Sequence, residues 1–158
     1  MAWSASKIFR PFLADVLGNV AAFDLDADAL NVALYDNDIT PDANVSSANS
    51  AYNAGQWTSL NNEVFQAGQW DQGGEPLTGQ VLNSSTSDVV FLDANDLSSG
   101  SSATLSNVYG CLVYDDTLAA PVADQGVCFN YFGGANSVVA GTFTIAWNTN
   151  GILRYTHS

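Results

Sequence analysis

Three features of the sequence predict a mainly β fold, an antiparallel β-sandwich or barrel-like domain with one N-terminal helix. From residue 79 onward, short apolar runs are separated by clusters of Gly, Asn, Asp and Ser, which favour turns. In one of these runs Phe143, Ile145 and Trp147 alternate with smaller residues and share one face, as in a half-buried strand. An Asn150-Gly151 pair follows that run and is typical of a two-residue hairpin, which would join it to the next strand.

The predicted elements follow one another along the chain. Residues 4–20 are predicted to be helical because Ile8, Phe12 and Val16 recur four residues apart, and Pro11 must then lie in the first turn or start a kink. This helix either packs on its own subunit or docks as an arm on another one. Strands are predicted at 30–35, 79–82, 88–92, 103–114, 125–132, 137–147 and 152–157, and a short helix or ordered loop at 43–54. We divide the chain into an N-terminal arm or helix, 1–22, and a single β-rich domain, 23–158.

Positive charge is confined to the two ends of the chain. The net charge is −13, and the Lys and Arg residues are Lys7, Arg10 and Arg154, with none between Pro11 and Leu153. A body without cations cannot neutralise phosphates or attract an anionic bilayer, so we expect neither nucleic acid nor a membrane as partner. No secretory signal is expected at the N-terminus. The terminal segments are the predicted docking elements.

A short sequence is repeated after thirteen residues. Tyr52-Asn53-Ala54-Gly55-Gln56-Trp57 is matched by Phe65-Gln66-Ala67-Gly68-Gln69-Trp70, and we interpret the two copies as similar turn-and-edge segments. An exposed Trp57 or Trp70 could stack on a sugar ring, whereas insertion into the core or into a subunit interface is the commoner role of tryptophan. Trp3, Trp57 and Trp70 are the candidate anchors of apolar contacts between subunits.

The two cysteines and a run of aspartates are candidate binding groups. Cys111 and Cys128 are predicted to lie in neighbouring strands, opposite one another in a symmetric hairpin, either as buried free thiols or as a disulfide. Asp24, Asp26 and Asp28 would share one face of a strand, where Ca²⁺ could bind, but the glycine and the final glutamate of an EF-hand loop are missing. A solvated acidic turn is the alternative, and we expect no cofactor.

Catalytic patterns are weak in this chain. The single histidine, His157, stands next to the last residue, and no nucleophile or phosphate-loop motif is present. Glu63 and Glu75 could in principle act as a glycosidase pair, but nothing beyond their closeness to Trp57 and Trp70 favours them. We therefore expect a protein that is not an enzyme.

Several stretches resemble small structural proteins on the particles of tailed bacteriophages, especially those that infect actinobacteria. The similar stretches are Lys7–Arg10, Val32–Asn37 with Thr40–Asp42, Val108–Asp116, and a C-terminal run from Phe132–Gly134 through Gly141–Ile145 to Gly151–Ile152. The resemblance implies a virion protein, assembled in the host cytoplasm, that decorates or cements the outer surface of the capsid. Its implied partners are the major capsid protein and copies of itself, most simply in a trimer, and it implies no active site.

The alternative to a capsid decoration protein is a tail or receptor-binding component of the virion with a glycan-binding surface. Decoration predicts many copies and docking through the termini, here Lys7, Arg10 and Arg154. A tail component predicts few copies and sugar binding through Trp57 or Trp70. The number of copies per particle separates the two hypotheses.

Overall fold

The computed structural model describes residues 3–85 and 87–156 and has a mainly β fold, as predicted. Strands account for 38% of the chain and helices for 8%, and every strand pairing is antiparallel. The elements are β1 Lys7–Ile8, α1 Arg10–Leu17, β2 Leu30–Tyr35, α2 Ser47–Ser50, β3 Glu75–Pro76, β4 Val81–Asn83, β5 Val89–Asp93, β6 Leu97–Ser98, β7 Ala103–Asp115, β8 Gly126–Gly141, β9 Thr144–Ile145 and β10 Leu153–Thr156.

The strands form three sheets that do not close into a barrel. The largest has the order β1-β8-β7-β2-β3, and the others are β10-β5-β4 and β6-β9. Strand β2 is buried along almost its whole length. Successive side chains point to opposite faces of a sheet, so both faces of the large sheet are covered at this strand. The predicted strand at 30–35 is thereby confirmed, and it lies between β7 and β3.

The long hairpin of β7 and β8 forms the middle of the large sheet. Leu112 pairs with Phe129, and the register shifts at several points along the hairpin. Cys111 is opposite Asn130, so the expectation that it faces Cys128 is wrong by two residues. Both cysteines are buried free thiols, one of the two alternatives. Their burial raises the pKa of Cys128 to about 12 and that of Cys111 well above its usual value, which keeps both thiols protonated and unreactive.

The hairpin predicted at Asn150-Gly151 does not form. The turn itself is present, since the Gly151 N–H donates to the Asn148 carbonyl oxygen and Gly151 has a φ of 84°. However, β9 pairs with β6 and β10 pairs with β5, so the turn connects strands of different sheets. The last predicted strand, 152–157, corresponds to β10, and His157 lies outside the described residues.

The helix predicted at 4–20 is shorter than expected. It begins at Arg10 and ends at Leu17, with Pro11 in its first turn, where a missing N–H costs nothing, and Gly18 at its C-cap. Residues 7–8 are a strand instead, because Lys7 and Ile8 pair with β8. The buried side chains of Trp3, Phe9 and Phe12 fix the segment to its own subunit.

The two copies of the repeated sequence form similar turns. In the first copy the Asn53 N–H donates to the Trp57 carbonyl oxygen over 2.9 Å, and in the second Gln66 donates to Trp70 over 2.8 Å. The glycine before each Gln-Trp pair has a positive φ, a conformation that other residues adopt only with strain. Each loop delivers one tryptophan into the core, so the interpretation as similar turn segments is confirmed.

Candidate functional site

The three candidate tryptophan anchors lie inside the subunit's own core. Trp3, Trp57 and Trp70 have no exposed surface. The Trp3 indole N–H donates to the Asp36 carbonyl oxygen over 2.7 Å, and that of Trp70 donates to Val32 over 3.1 Å. Insertion into the core, one of the roles considered for Trp57 and Trp70, is the one they have. Stacking of these two rings on a sugar and the use of the three tryptophans as anchors for another subunit are corrected, because their apolar area is already used to stabilise this chain.

The fold brings two of the three cations together. Lys7 on β1 and Arg154 on β10 line one groove of about 620 Å³, although they are near opposite ends of the sequence. Arg10 does not line it; the Arg10 guanidinium donates to the Asn44 carbonyl oxygen over 3.3 Å. The predicted set of docking cations is thus divided into a pair that shares a site and a single residue that lies elsewhere.

We call this the terminal groove, because its walls come from both ends of the chain. One wall is β1 with its neighbour β8, and the other is the segment that leads into β10. The lining residues with hydrogen-bonding or charged side chains are Ser6, Lys7, Asn130, Asn148, Asn150 and Arg154. Strands β1 and β10 are both edge strands of their sheets. A partner can therefore meet cationic side chains, amides and unpaired strand edges in one place.

The two cations of the groove are available to bind an anion. Arg154 donates only to neutral acceptors, the Asn150 side-chain oxygen and the Thr156 hydroxyl. Within residues 3–85 and 87–156, Lys7 makes no side-chain hydrogen bond and neither residue has a carboxylate partner. With a net charge of −13 on the chain, this groove is a local positive region on an anionic molecule.

A second cavity, which we call the aromatic pocket, continues from the terminal groove. It has a volume of about 360 Å³ and shares Ser6, Asn130, Asn148 and Gly151 with the groove. Its remaining lining residues are Tyr131, Phe132, Asn136, Phe143, Thr144, Ile145, Ala146 and Trp147. No local pattern predicted this pocket; the alternation of Phe143, Ile145 and Trp147 predicted only a half-buried strand, and the strand found there, β9, is confined to Thr144–Ile145.

The acidic run that suggested Ca²⁺ forms a turn and not a strand. The Ala27 and Asp28 N–H groups donate to the Asp24 carbonyl oxygen, and the Asp28 carboxylate accepts the Asp24 N–H over 2.6 Å. The three carboxylates therefore do not alternate on one face. Across the described ranges, no group of three or more His, Cys, Asp and Glu side chains is arranged to hold a metal ion.

Glu63 and Glu75 each support a neighbouring loop. The Glu63 carboxylate accepts the Gly73 N–H over 2.7 Å and the Tyr52 hydroxyl over 2.9 Å. Burial raises the pKa of Glu63, and these two hydrogen bonds partly oppose that effect. Glu75 accepts the Asp71 N–H over 3.0 Å. These contacts give both residues a structural role.

Comparison with protein-family models, curated proteins and solved structures found no match to this chain. Among the described residues, no helix is long and apolar enough to cross a membrane. The terminal groove and the aromatic pocket are therefore interpreted from their own geometry and chemistry.

Proposed function

We propose that this chain is a virion structural protein that decorates the outer surface of a bacteriophage capsid and is not an enzyme. The observation that carries the proposal is the meeting of Lys7 and Arg154 in one groove of a strongly anionic molecule. Two cations in one groove favour one orientation of such a molecule on a larger surface, while the anionic remainder limits association before assembly. The resemblance to small phage particle proteins supplies the class of partner, the major capsid protein.

Copies of the chain are proposed to associate on the shell, most simply as trimers at local three-fold positions. Because Trp3, Trp57 and Trp70 are buried, apolar contacts between copies must use other side chains. The most exposed large apolar residues are Leu17, Leu60 and Val139, with 86%, 87% and 80% of their surface accessible. Leu17 is at the end of α1, so this helix retains the second role considered for it, contact with another subunit.

The alternative, a tail or receptor-binding component, is weaker in its original form. It placed sugar stacking at Trp57 and Trp70, whose rings are fully buried. Quantifying the chain against the major shell protein in purified particles separates the hypotheses. About one copy per shell subunit supports decoration, whereas a few copies per particle support a tail or vertex component.

We predict that reversing both charges of the terminal groove weakens shell binding. Lys7→Glu/Arg154→Glu removes two cations and adds two repelling carboxylates, so we expect the affinity for undecorated shells to fall by about tenfold or more. Cosedimentation of the purified variant with such shells measures the loss, and wild-type binding should weaken as salt rises.

Arg10→Glu is the matched control, because it reverses one cation that lies outside the groove. We expect it to bind shells nearly as well as the wild type. Equal binding by the double variant and the wild type, with both proteins folded, would rule out the groove as the docking site. A loss that is larger for Arg10→Glu would move the site to α1.

A further inference from the structure

We propose that the aromatic pocket is a binding site for a neutral saccharide. The inference goes beyond decoration of a shell, because it assigns a ligand to a second cavity that adjoins the terminal groove. Three properties of the pocket support it, namely its aromatic rings, its unused amide groups and the lack of charge in its lining.

Two aromatic rings that line the pocket keep part of their surface exposed. Phe132 and Trp147 are half-buried, in contrast to the three fully buried tryptophans. Neither ring contacts another aromatic ring within the described part of the chain. The Trp147 N–H edge is enclosed, so the exposed portion of the ring is elsewhere on its surface. An aromatic surface open to a cavity can cover the apolar C–H face of a sugar ring.

The amides beside these rings keep hydrogen-bonding capacity. The Asn130 and Asn136 NH₂ groups donate within the protein, to Cys128 Sγ and to backbone carbonyls, while no described residue donates to their side-chain oxygens. Asn148 uses its oxygen to accept the Asn150 N–H and keeps its NH₂ group unused. The pocket thus offers both acceptors and donors, the combination that sugar hydroxyls require.

The lining carries no charge. The protein has sixteen acidic residues, yet none of the described residues around the pocket is Asp, Glu, Lys or Arg. A neutral ligand enters such a site without leaving an ion unpaired, whereas a charged one would lose its hydration without gaining a partner. The volume of about 360 Å³ is at the lower end of the usual range for small-ligand sites. We therefore infer a site for one or two sugar units.

The experiment titrates wild-type protein with neutral oligosaccharides of glucose, mannose, galactose, arabinose and N-acetylglucosamine, and follows tryptophan fluorescence. Iodide quenching reports on Trp147, because the other three tryptophans are buried. We expect at least one oligosaccharide to bind with a dissociation constant of about 10 mM or below and to shield Trp147 from iodide. Binding should change little with salt, unlike docking through the terminal groove.

Two variants distinguish stacking from loss of folding. Trp147→Ala should weaken binding by about tenfold or more, whereas Trp147→Phe keeps an aromatic face and should retain most of it. Asp42→Asn, a change at an exposed site that does not line the pocket, should bind like the wild type. If Trp147→Ala is unfolded, shielding of Trp147 in the wild type remains the deciding measurement.

Two results would overturn the inference. The first is no saturable binding of any neutral oligosaccharide, together with unchanged iodide quenching. The second is binding confined to acidic saccharides such as polygalacturonate and lost in Lys7→Glu/Arg154→Glu, which would assign the ligand to the terminal groove. Shell binding is measured separately, so failure of the saccharide site leaves the decoration proposal intact, and the reverse holds as well.

Discussion

Replacing Trp57 by alanine should lower the free energy of unfolding by about 3 to 5 kcal/mol, enough to unfold much of the protein. The ring is fully buried and lies 5.1 to 6.0 Å, between centroids, from the rings of Tyr35, Phe9, Phe129 and Trp3. Its removal leaves a cavity among aromatic side chains that cannot all move to fill it. Urea unfolding followed by circular dichroism measures the loss.

Two further variants test whether the loss of stability comes from the position of Trp57 in the core. Leu60→Ala, in the following turn, changes a side chain that is 87% exposed, so we expect a change within about 0.5 kcal/mol. Trp57→Phe should cost less stability than Trp57→Ala, because it keeps an aromatic ring and removes a buried indole N–H that has no hydrogen-bond partner among the described residues. A folded Trp57→Ala variant of near wild-type stability would contradict the packing described here.

Stability should fall as the pH rises from about 4 to 8, because of a buried carboxyl group at the end of β7. Asp115 has no exposed surface, and one of its oxygens accepts the N–H groups of Thr117 and Leu118. Burial, followed by a hydrogen bond and charge repulsion from Asp28, raises the pKa of Asp115 to about 7, against the lowering effect of the two N–H groups.

The sign follows from where the proton is bound. An unfolded aspartate titrates near 3.9, so between that value and about 7 the folded chain holds a proton that the unfolded chain has lost. The contribution of Asp115 to the free energy of unfolding is therefore fully present below about pH 4 and is lost as the pH rises through about 7. Burial also raises the pKa values of Asp36, Glu63 and Asp124, which adds to the effect in the same direction.

Asp115→Asn isolates this carboxyl group from the others. Asparagine keeps an oxygen for the two N–H groups and offers an NH₂ group in place of the proton that faces Asp28. We expect the variant to exceed the wild type in stability by about 1 to 3 kcal/mol at pH 8 and to match it near pH 4. Urea unfolding at several pH values measures the difference.

Asp42→Asn is the control, since Asp42 is exposed and asparagine can still accept the Asn44 N–H that Asp42 binds. Its stability should follow the wild type across the pH range. If Asp115→Asn and the wild type had parallel pH profiles, the carboxyl group of Asp115 would not be the origin of the dependence.

Strands with a complete local pattern could be predicted from the sequence. The apolar run at 30–35 coincides with β2, and the alternation around Phe143 and Ile145 agrees with their burial. The two-residue strands β1, β3 and β6 were not predicted. A segment of two residues is too short to show an alternating pattern, and it is a strand only because it hydrogen-bonds to a neighbouring strand. The helix was predicted too long for the same reason, since pairing with β8 extends residues 7–8 despite their helical spacing.

The candidate site depended more strongly on tertiary structure. Lys7 and Arg154 could be identified from charge alone. Their shared groove, which Arg10 does not line, depends on the pairing of β1 and β10 with separate sheets. The aromatic pocket combines residues of β8 with Phe143, β9 and the segment after it, which no local pattern connects.

By itself, the sequence determined the mainly β class, the anionic body with cations near its ends, and the repeated loop that carries Trp57 and Trp70. These properties depend on composition and on the pattern of residues close to one another along the chain. They do not require contacts between distant segments. Only the tertiary structure decided that the tryptophans point inward, that the Asn150-Gly151 turn joins two sheets and that the groove and pocket adjoin. These depend on strand pairing between distant segments, where many registers satisfy the same local pattern and packing of the whole core selects one.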